Sequence, residues 1–333
     1  MSTRFDVLTI GNAIVDVIAP VTDAFIAEEG MTKSIMHLIE AERSADLYAR
    51  MPAAKKMIPG GSAANTAAGV AALGGRAAFV GKVADDELGA VFRADFDDNG
   101  IHFATPDLRD GAATARSMIL VTPDGERTMN TYLGASQQLM EADIVEETIG
   151  GAAVTYMEGY LWDPPEAKKA FIKAAHFAHK NERAAAITLS DPFCVNRYRV
   201  EFLDLIRSKT MDYVFANIEE AKALYQTDNI NTAVRELAKD AEVAAVTMGS
   251  RGAMAIAEGE IVSVPAFPVP EVVDVTGAGD LFAAGFLLAN ARGQSMEEAL
   301  RLGCLAASEV ISHIGARPVA DLKVLARGEG IAV

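Results

Sequence analysis

Asp280 stands where a carboxylate is least expected. It closes a small-residue turn, Asp274-Val275-Thr276-Gly277-Ala278-Gly279, that leads into an apolar run over 281–289. Such a turn exposes successive backbone N–H groups at a helix N-terminus, where no intrahelical carbonyl meets them and the dipole favours anions. Gly277 and Gly279 let a phosphate approach the backbone with no Cβ in the way, and Ala278 between them is nearly as small. A carboxylate would repel that phosphate, so Asp280 points to work on the group that receives a phosphoryl. The dipole would favour its ionised form, making it an acceptor at neutral pH but a weak base. The plainer reading, an acid satisfying a spare helix amide, stays open from the turn alone. Two other phosphate motifs are excluded. A dinucleotide fingerprint needs glycine where Phe282 stands, and a following strand. The Walker pattern Gly-x-x-x-x-Gly-Lys-Ser/Thr occurs nowhere.

Other residues could serve the same chemistry. A second turn, Gly60-Gly61-Ser62-Ala63-Ala64-Asn65, opens a small-residue helix, and Asn65 is a poor helix former where Ala or Leu would be unforced. Asp16 lies among β-formers, either solvated or an acceptor for a ligand. By period-2 alternation Arg127, Met129, Thr131 and Leu133 share a strand face. A cation beside apolar residues suits contact with a phosphate and a ring; a surface arginine capping a half-buried sheet fits the pattern equally. Asn217-Ile218-Glu219-Glu220 is a capping box on physics alone. Gly249 and Gly252 form a weak turn signal after the strand ending at Thr247. Tyr160 and Trp162 follow a strand's C-terminal end, where ligands gather in α/β sheets, though core packing is the plainer reading for Trp162. His176 and His179 lack the further ligands a metal would need.

The elements that must position these residues alternate as strand and helix. Strands are expected over 5–10, 13–18, 77–80, 153–158, 184–190, 212–216 and 244–247, with 272–275 feeding the catalytic turn. Helices are expected over 87–99, 165–180 and 199–208, with two more between 281 and 314, the second opened by a Ser295–Glu298 capping box. Residues 114–121 and 127–133 read as a hairpin about Pro123-Asp124-Gly125. With strands near 13–20 and 33–39 this makes a small sheet outside the alternation.

The 333 residues carry 30 Lys and Arg against 46 Asp and Glu, a net charge of −16. That argues against nucleic acid or anionic membrane as partner and for a soluble acidic enzyme with a local positive pocket. No apolar run is long enough to span a membrane. Cys194 and Cys304 lie far apart without metal spacing and read as buried small residues in a reducing compartment; the expected location is cytoplasmic.

The turn 274–280 with Ala284-Gly285 resembles the C-terminal signature of the ribokinase-like (PfkB) carbohydrate and nucleoside kinases, with Val275 where many members have threonine. The segment Gly60–Asn65 resembles that family's N-terminal signature, and the likeness covers essentially the whole chain. It implies one Rossmann-like α/β domain over 1–333, a mostly parallel sheet flanked by helices, with a β-sheet lid from about 13–50 and 101–135. It implies ATP and Mg²⁺ as cofactors, with Gly277, Ala278 and Gly279 as anion hole, Asp280 as base and Arg127 as the lid's cation. By the same resemblance Asp16, Gly60, Gly61, Ser62 and Asn65 hold the acceptor's hydroxyls, with Asn12 close by and Met129 and Tyr160 near the ring. Asn217, Thr247, Gly249 and Gly252 fall on the nucleotide side, and Glu220 reaches Mg²⁺ through water. The family's C-terminal segment often gives oxygens to a monovalent cation, which would put K⁺ near Asp274 and Gly315. Gly-Asn-Ala-Ile-Val-Asp at 11–16 and Glu-Gly-Tyr-Leu-Trp-Asp at 158–163 look most like adenosine kinases, so the implied reaction is adenosine to AMP. A ribokinase- or fructokinase-like sugar kinase is the alternative, and an idle nucleotide-binding regulator the alternative of another class. A homodimer through the lid is left open.

Overall fold

Apolar β-branched runs and small-residue helices alternate along the chain, and the computed structural model, which describes residues 3–53 and 55–333, folds them into two sheets. The strands in chain order are β1 (Phe5–Ile10), β2 (Ile14–Pro20), β3 (Met36–Leu38), β4 (Lys56–Gly60), β5 (Ala77–Val80), β6 (Ala115–Val121) and β7 (Arg127–Tyr132). They continue as β8 (Ala152–Glu158), β9 (Ala184–Thr188), β10 (Tyr213–Asn217), β11 (Val243–Thr247), β12 (Ala253–Ala257) and β13 (Glu260–Val264). The large sheet runs β13-β12-β11-β10-β9-β8-β1-β5, parallel from β11 to β5, with β12 and β13 added antiparallel at one edge. β1 is buried at every position, as a strand covered on both faces must be. The C-terminal ends of the parallel strands bring Ile10, Glu158, Thr188, Asn217 and Thr247 to one edge, the edge where such sheets hold ligands.

The small sheet runs β3-β7-β6-β2-β4. Its hairpin turns at Gly125, whose φ of +85° a two-strand connection here requires. Alternation on β2 buries Val15, Val17 and Ala19 while Ile14, Asp16 and Ile18 face the cavity described below. Two boundaries differ from the expected 13–50 and 101–135. Residues 56–60, read as part of a turn, form the strand β4 antiparallel to β2. Residue 102 instead lies along the large sheet, His102 bridging to Ala78 of β5, and Leu108 bridges to Ala84 beyond that strand's end. Leu133 lies beyond β7, so it does not extend the Arg127, Met129, Thr131 row.

Helix Ala278–Ala291 is apolar on all sides and correspondingly buried. It packs against helices Met296–Val310 and Ser62–Ala72 at backbone range. A Cβ on Gly285 would lie 2.6 Å from Leu302, and one on Gly69 would lie 2.7 Å from Ala284. The strand expected at 272–275 does not form. Val272, Val273 and Val275 are exposed, and the amides of Val273 and Asp274 go to the carbonyl of Ile311. No sheet edge reaches these residues, so β-propensity is overridden by the end of a helix. The helix expected at 199–208 follows a kink at Tyr198, and a further helical segment precedes it, the two together spanning Pro192–Arg207. Asp191 caps the earlier segment by accepting from the amide of Cys194 at 2.6 Å, and Pro192 occupies its first turn. Among the described residues no helix is long and apolar enough to cross a membrane.

Candidate active site

A cavity of about 1080 Å³ lies between the C-terminal edge of the large sheet and the face of the small one. Its floor is the turn at 277–280. Gly277 has φ +81°, and a Cβ there would meet Ala316 at 2.7 Å, so both conformation and space demand glycine. The amide of Ala278 folds back on Val275, and the first amide to find an i−4 carbonyl is that of Leu281, on Gly277. The amides of Gly279 and Asp280 thus have no carbonyl partner within the helix, and a Cβ on Gly279 would stand in open space. This is an anion-accepting cradle by construction.

Asp280 does not cap that helix. Its Oδ1 accepts from Ser62 Oγ at 2.6 Å and its Oδ2 from Asn65 Nδ2 at 2.9 Å. Burial raises its pKa to about 6, opposed by those two bonds and by the Arg317 cation. It is thus still mostly ionised at neutral pH, as expected, but a stronger base than expected, because desolvation outweighs the favourable donors. Ser62 and Asn65 face it because Gly61, at φ +101° and tight against the Asn12 carbonyl, opens their helix.

Beneath this layer Glu158 is buried. It accepts from the amide of Asn12 at 3.1 Å, from Asn12 Nδ2 and from the amide of Ala63 at 2.8 Å. Burial pushes its pKa up to about 7. Asn12 is thus a support for Glu158, also bonded by Gln137, and does not line the cavity as expected of an acceptor ligand. Gly60 is also absent from the wall; its missing Cβ leaves room for the Asp16 carboxylate, which would lie 3.0 Å from it. Asp16 does line the cavity, its pKa raised to about 7 by burial against the pull of Arg317 and Arg127.

At the far side Asn217, Glu220 and Thr247 line the wall. Glu220 and Asn217 form the full capping box: Asn217 Oδ1 accepts the Glu220 amide at 2.9 Å and Glu220 accepts the Asn217 amide at 3.0 Å. Burial lifts Glu220 to about 7. Gly249 and Gly252 lie off the cavity wall. Gly252, at φ +93°, passes so close to β13 that a Cβ would strike the Val264 carbonyl, which gives it a backbone role. From the small sheet Arg127 and Met129 face the cavity as alternation predicts, and Tyr160, 44% exposed, stands on the rim. Trp162 is core, its ring tilted against Phe171 and Phe202.

Arg127 is committed to Asp274 at 3.0 Å, joining the small sheet to the turn. Asp274 lies off the cavity wall and also accepts from Thr276 and from the Gly315 amide at 2.9 Å. The Gly315 N–H is taken by Asp274, so a K⁺ contact at Gly315 would use its carbonyl oxygen. Among the described residues no group of three His, Cys, Asp or Glu is placed to hold a metal. The donor set fits Mg²⁺ only as an ion carried by phosphates and touched through water, which is how Mg²⁺ commonly binds. Arg317, Glu158, Tyr156, Thr188 and Ser190 were missed as site residues. Glu158, Thr188 and Ser190 carried a usable signal, because they sit at or just past strand C-terminal ends.

Comparison with known proteins agrees with this geometry. The family described as pfkB family carbohydrate kinase matches residues 31–322. A solved structure of a probable sugar kinase protein from Rhizobium etli CFN 42 is 52% identical, with TM-score 0.90, covering 99% of this chain and 100% of that one. The adenosine kinase from Sinorhizobium meliloti is 53% identical, with TM-score 0.89, covering 98% and 99%. Fructokinase-1 of Oryza sativa subsp. japonica is 31% identical over 238 residues, 69% of this chain and 72% of that protein.

Proposed function

The chain belongs to the pfkB family of carbohydrate kinases, enzymes that transfer phosphate to a hydroxyl acceptor, and from that premise we propose that it phosphorylates a primary hydroxyl of a nucleoside, adenosine first. Kinases of this family use ATP and typically Mg²⁺. The observation that carries the nucleoside reading is the cavity face of the small sheet. Ile14, Ile18, Met57, Ile119 and Met129 give it an apolar surface that suits a flat base, and burying apolar area there contributes about 25 cal/mol per Å². The 53% identical adenosine kinase supports the same reading. A sugar kinase is the second reading, favoured by the 52% identical probable sugar kinase and the fructokinase relative.

In the proposed mechanism the N-terminal cradle at 277–279 receives phosphoryl oxygens, and Asp280 holds the acceptor hydroxyl in line. Ser62 and Asn65 donate to Asp280 and so hold its carboxylate in one orientation. With a pKa near 6 it is mostly ionised at neutral pH, yet a stronger base than an ordinary aspartate. Proton removal comes late in a loose transition state, so aiming is its main contribution. Mg²⁺, carried by the nucleotide, would neutralise phosphate charge, with Asn217 and Glu220 beside it. The small sheet serves as lid within a single domain, and Arg127 leaves Asp274 for the transferring charge when it closes. A K⁺ ion, if bound, would be held by Asp274 and the Gly315 region and would offset the Asp274 charge once Arg127 has left it. These charge-aiming features weigh against an idle regulator. ATP consumption measured against adenosine, other nucleosides, ribose and fructose tests the reading. Use of fructose or ribose without adenosine would overturn the nucleoside assignment.

A further inference from the structure

Arg317 sits on the loop after helix Met296–Val310 and lines the cavity between Asp16 and Asp280. Its Nε donates to Asn65 Oδ1 at 3.0 Å, and its Nη1 lies 3.4 Å from Asp95 Oδ2 on helix Glu87–Asp98. Its Nη2 is buried and, among the described residues, has no hydrogen-bond partner. Asp280, Asn65 and Glu220 are all hydrogen-bonded within the protein; this donor is not.

We propose that Arg317 positions the phosphoryl acceptor, fixing the Asn65 amide toward Asp280 and presenting Nη2 to a hydroxyl or ether oxygen of the bound polyol. The first half follows from donor and acceptor inventory. A guanidinium nitrogen can only donate, so it accepts nothing from Asn65 and must take Oδ1. That leaves Nδ2, which donates to Asp280 Oδ2 at 2.9 Å. With the amide reversed, Oδ1 would face a carboxylate oxygen and Nδ2 a cation, both repulsive. Arg317 therefore selects the one Asn65 orientation that supports the carboxylate. The second half follows from cost. A buried donor left unsatisfied loses its full desolvation free energy; Nη2 is screened from water in the ligand-free site, and Arg317 lines the cavity that the acceptor would enter. Asp95 and Asn65 hold the other two nitrogens, so the fork is fixed before ligand arrives.

This inference rests on the reading of Asp280 as the group that meets the acceptor hydroxyl. The plainer role for Arg317 is to tie its loop to helix Glu87–Asp98, a role that changes stability alone. Steady-state kinetics with MgATP and adenosine, or fructose if the wild type uses that instead, separate the two for Arg317→Met, Arg317→Lys, Asn65→Ala and the Arg317→Met/Asn65→Ala double variant. Arg317→Met should raise the acceptor KM and lower kcat by about 10²-fold, the scale of a small misplacement of reacting groups, with the MgATP KM unchanged. Lysine should rescue poorly, because an ammonium has no planar fork. In the Asn65→Ala background Arg317→Met should lower kcat no further, since that effect runs through the Asn65 bond, but should still raise the acceptor KM through loss of the Nη2 contact. Additive kcat losses, a change confined to the MgATP KM, or wild-type kinetics in folded Arg317→Met or Arg317→Lys would each overturn the proposal. If Arg317→Met does not fold, Arg317→Lys decides alone. Asp280→Asn in parallel keeps the failures apart: activity retained there overturns the base assignment, whereas activity lost there with normal Arg317 variants overturns only the role of Arg317.

Discussion

The two walls of the cavity are built to different tolerances. On the floor, helix Ala278–Ala291 meets its neighbours at glycines, so that one added Cβ at Gly285, Gly69 or Gly303 would come within 2.7 Å of another atom. Opposite it, the small sheet ends in a three-residue edge strand whose Met36 and Leu38 are 52% and 65% exposed. It reaches the turn through the Arg127–Asp274 ion pair. In the proposed mechanism the close-packed wall carries the groups that must be held within fractions of an ångström for phosphoryl transfer. The looser wall carries the apolar face proposed to distinguish acceptors and the arginine proposed to exchange partners. On that reading catalysis and selectivity fall on walls of different packing.

If that separation holds, substitutions on the floor should damage turnover and those on the small sheet should damage choice. The largest effect is expected for Asp280→Asn, which keeps the shape and loses the charge. Turnover should fall by roughly 10²–10⁴-fold with both substrates still bound, as initial rates and equilibrium binding would show. Near-normal turnover would leave the floor without a base and the comparison without content. Arg127→Ala comes next. Loss of one charge-assisted contact, about 1.5–3 kcal/mol, should slow turnover by roughly ten- to a hundredfold. Melting should fall only modestly, because Asp274, 12% exposed, keeps its bonds from Thr276 and Gly315 when the arginine is removed. Unchanged turnover would return Arg127 to a surface role. Met129→Ala should act on the looser wall alone, raising the KM for a nucleoside while leaving kcat and the MgATP KM as they were. Equal damage to kcat would mean that the small sheet is part of the rigid site.

The smallest effect is on stability against pH. Asp16, Glu158 and Glu220 have folded pKa values of about 7 and Asp280 about 6, all raised above their ordinary 3.8 or 4.5 by burial. Between those values and the unfolded ones the folded state binds more protons, so this contribution is present at low pH and lost as pH rises through 6 to 7. The ligand-free melting temperature should decline from pH 5 to pH 8. Asp16→Asn should flatten the decline by raising the value at pH 8, measured by scanning calorimetry. A decline of the same size in Asp16→Asn would place the titration elsewhere.

Much of this was legible before folding because its causes are local. The Asn217–Glu220 and Ser295–Glu298 boxes are decided within four residues and formed as read. Alternation put Arg127 and Met129 on one face, and helix Pro165–Lys180 has the expected bounds. Gly277 is required by a φ that its own turn imposes. The Asp191-Pro192 start of a helix was equally local and was passed over.

What tertiary structure alone decided are the properties that belong to surroundings. Ser62 and Asp280 lie 218 positions apart, and Asn65 and Arg317 lie 252 apart, so no window of sequence contains either bond. Val272, Val273 and Val275 have strand propensity, but a strand needs an edge, and whether one is near is a fact of topology. Asn12 is polar and follows a strand, yet the buried Glu158 claims it. The base strength of Asp280 was set the same way: the helix dipole is written in the sequence and argues for a low pKa, while desolvation, which no neighbouring residue encodes, raises it to about 6.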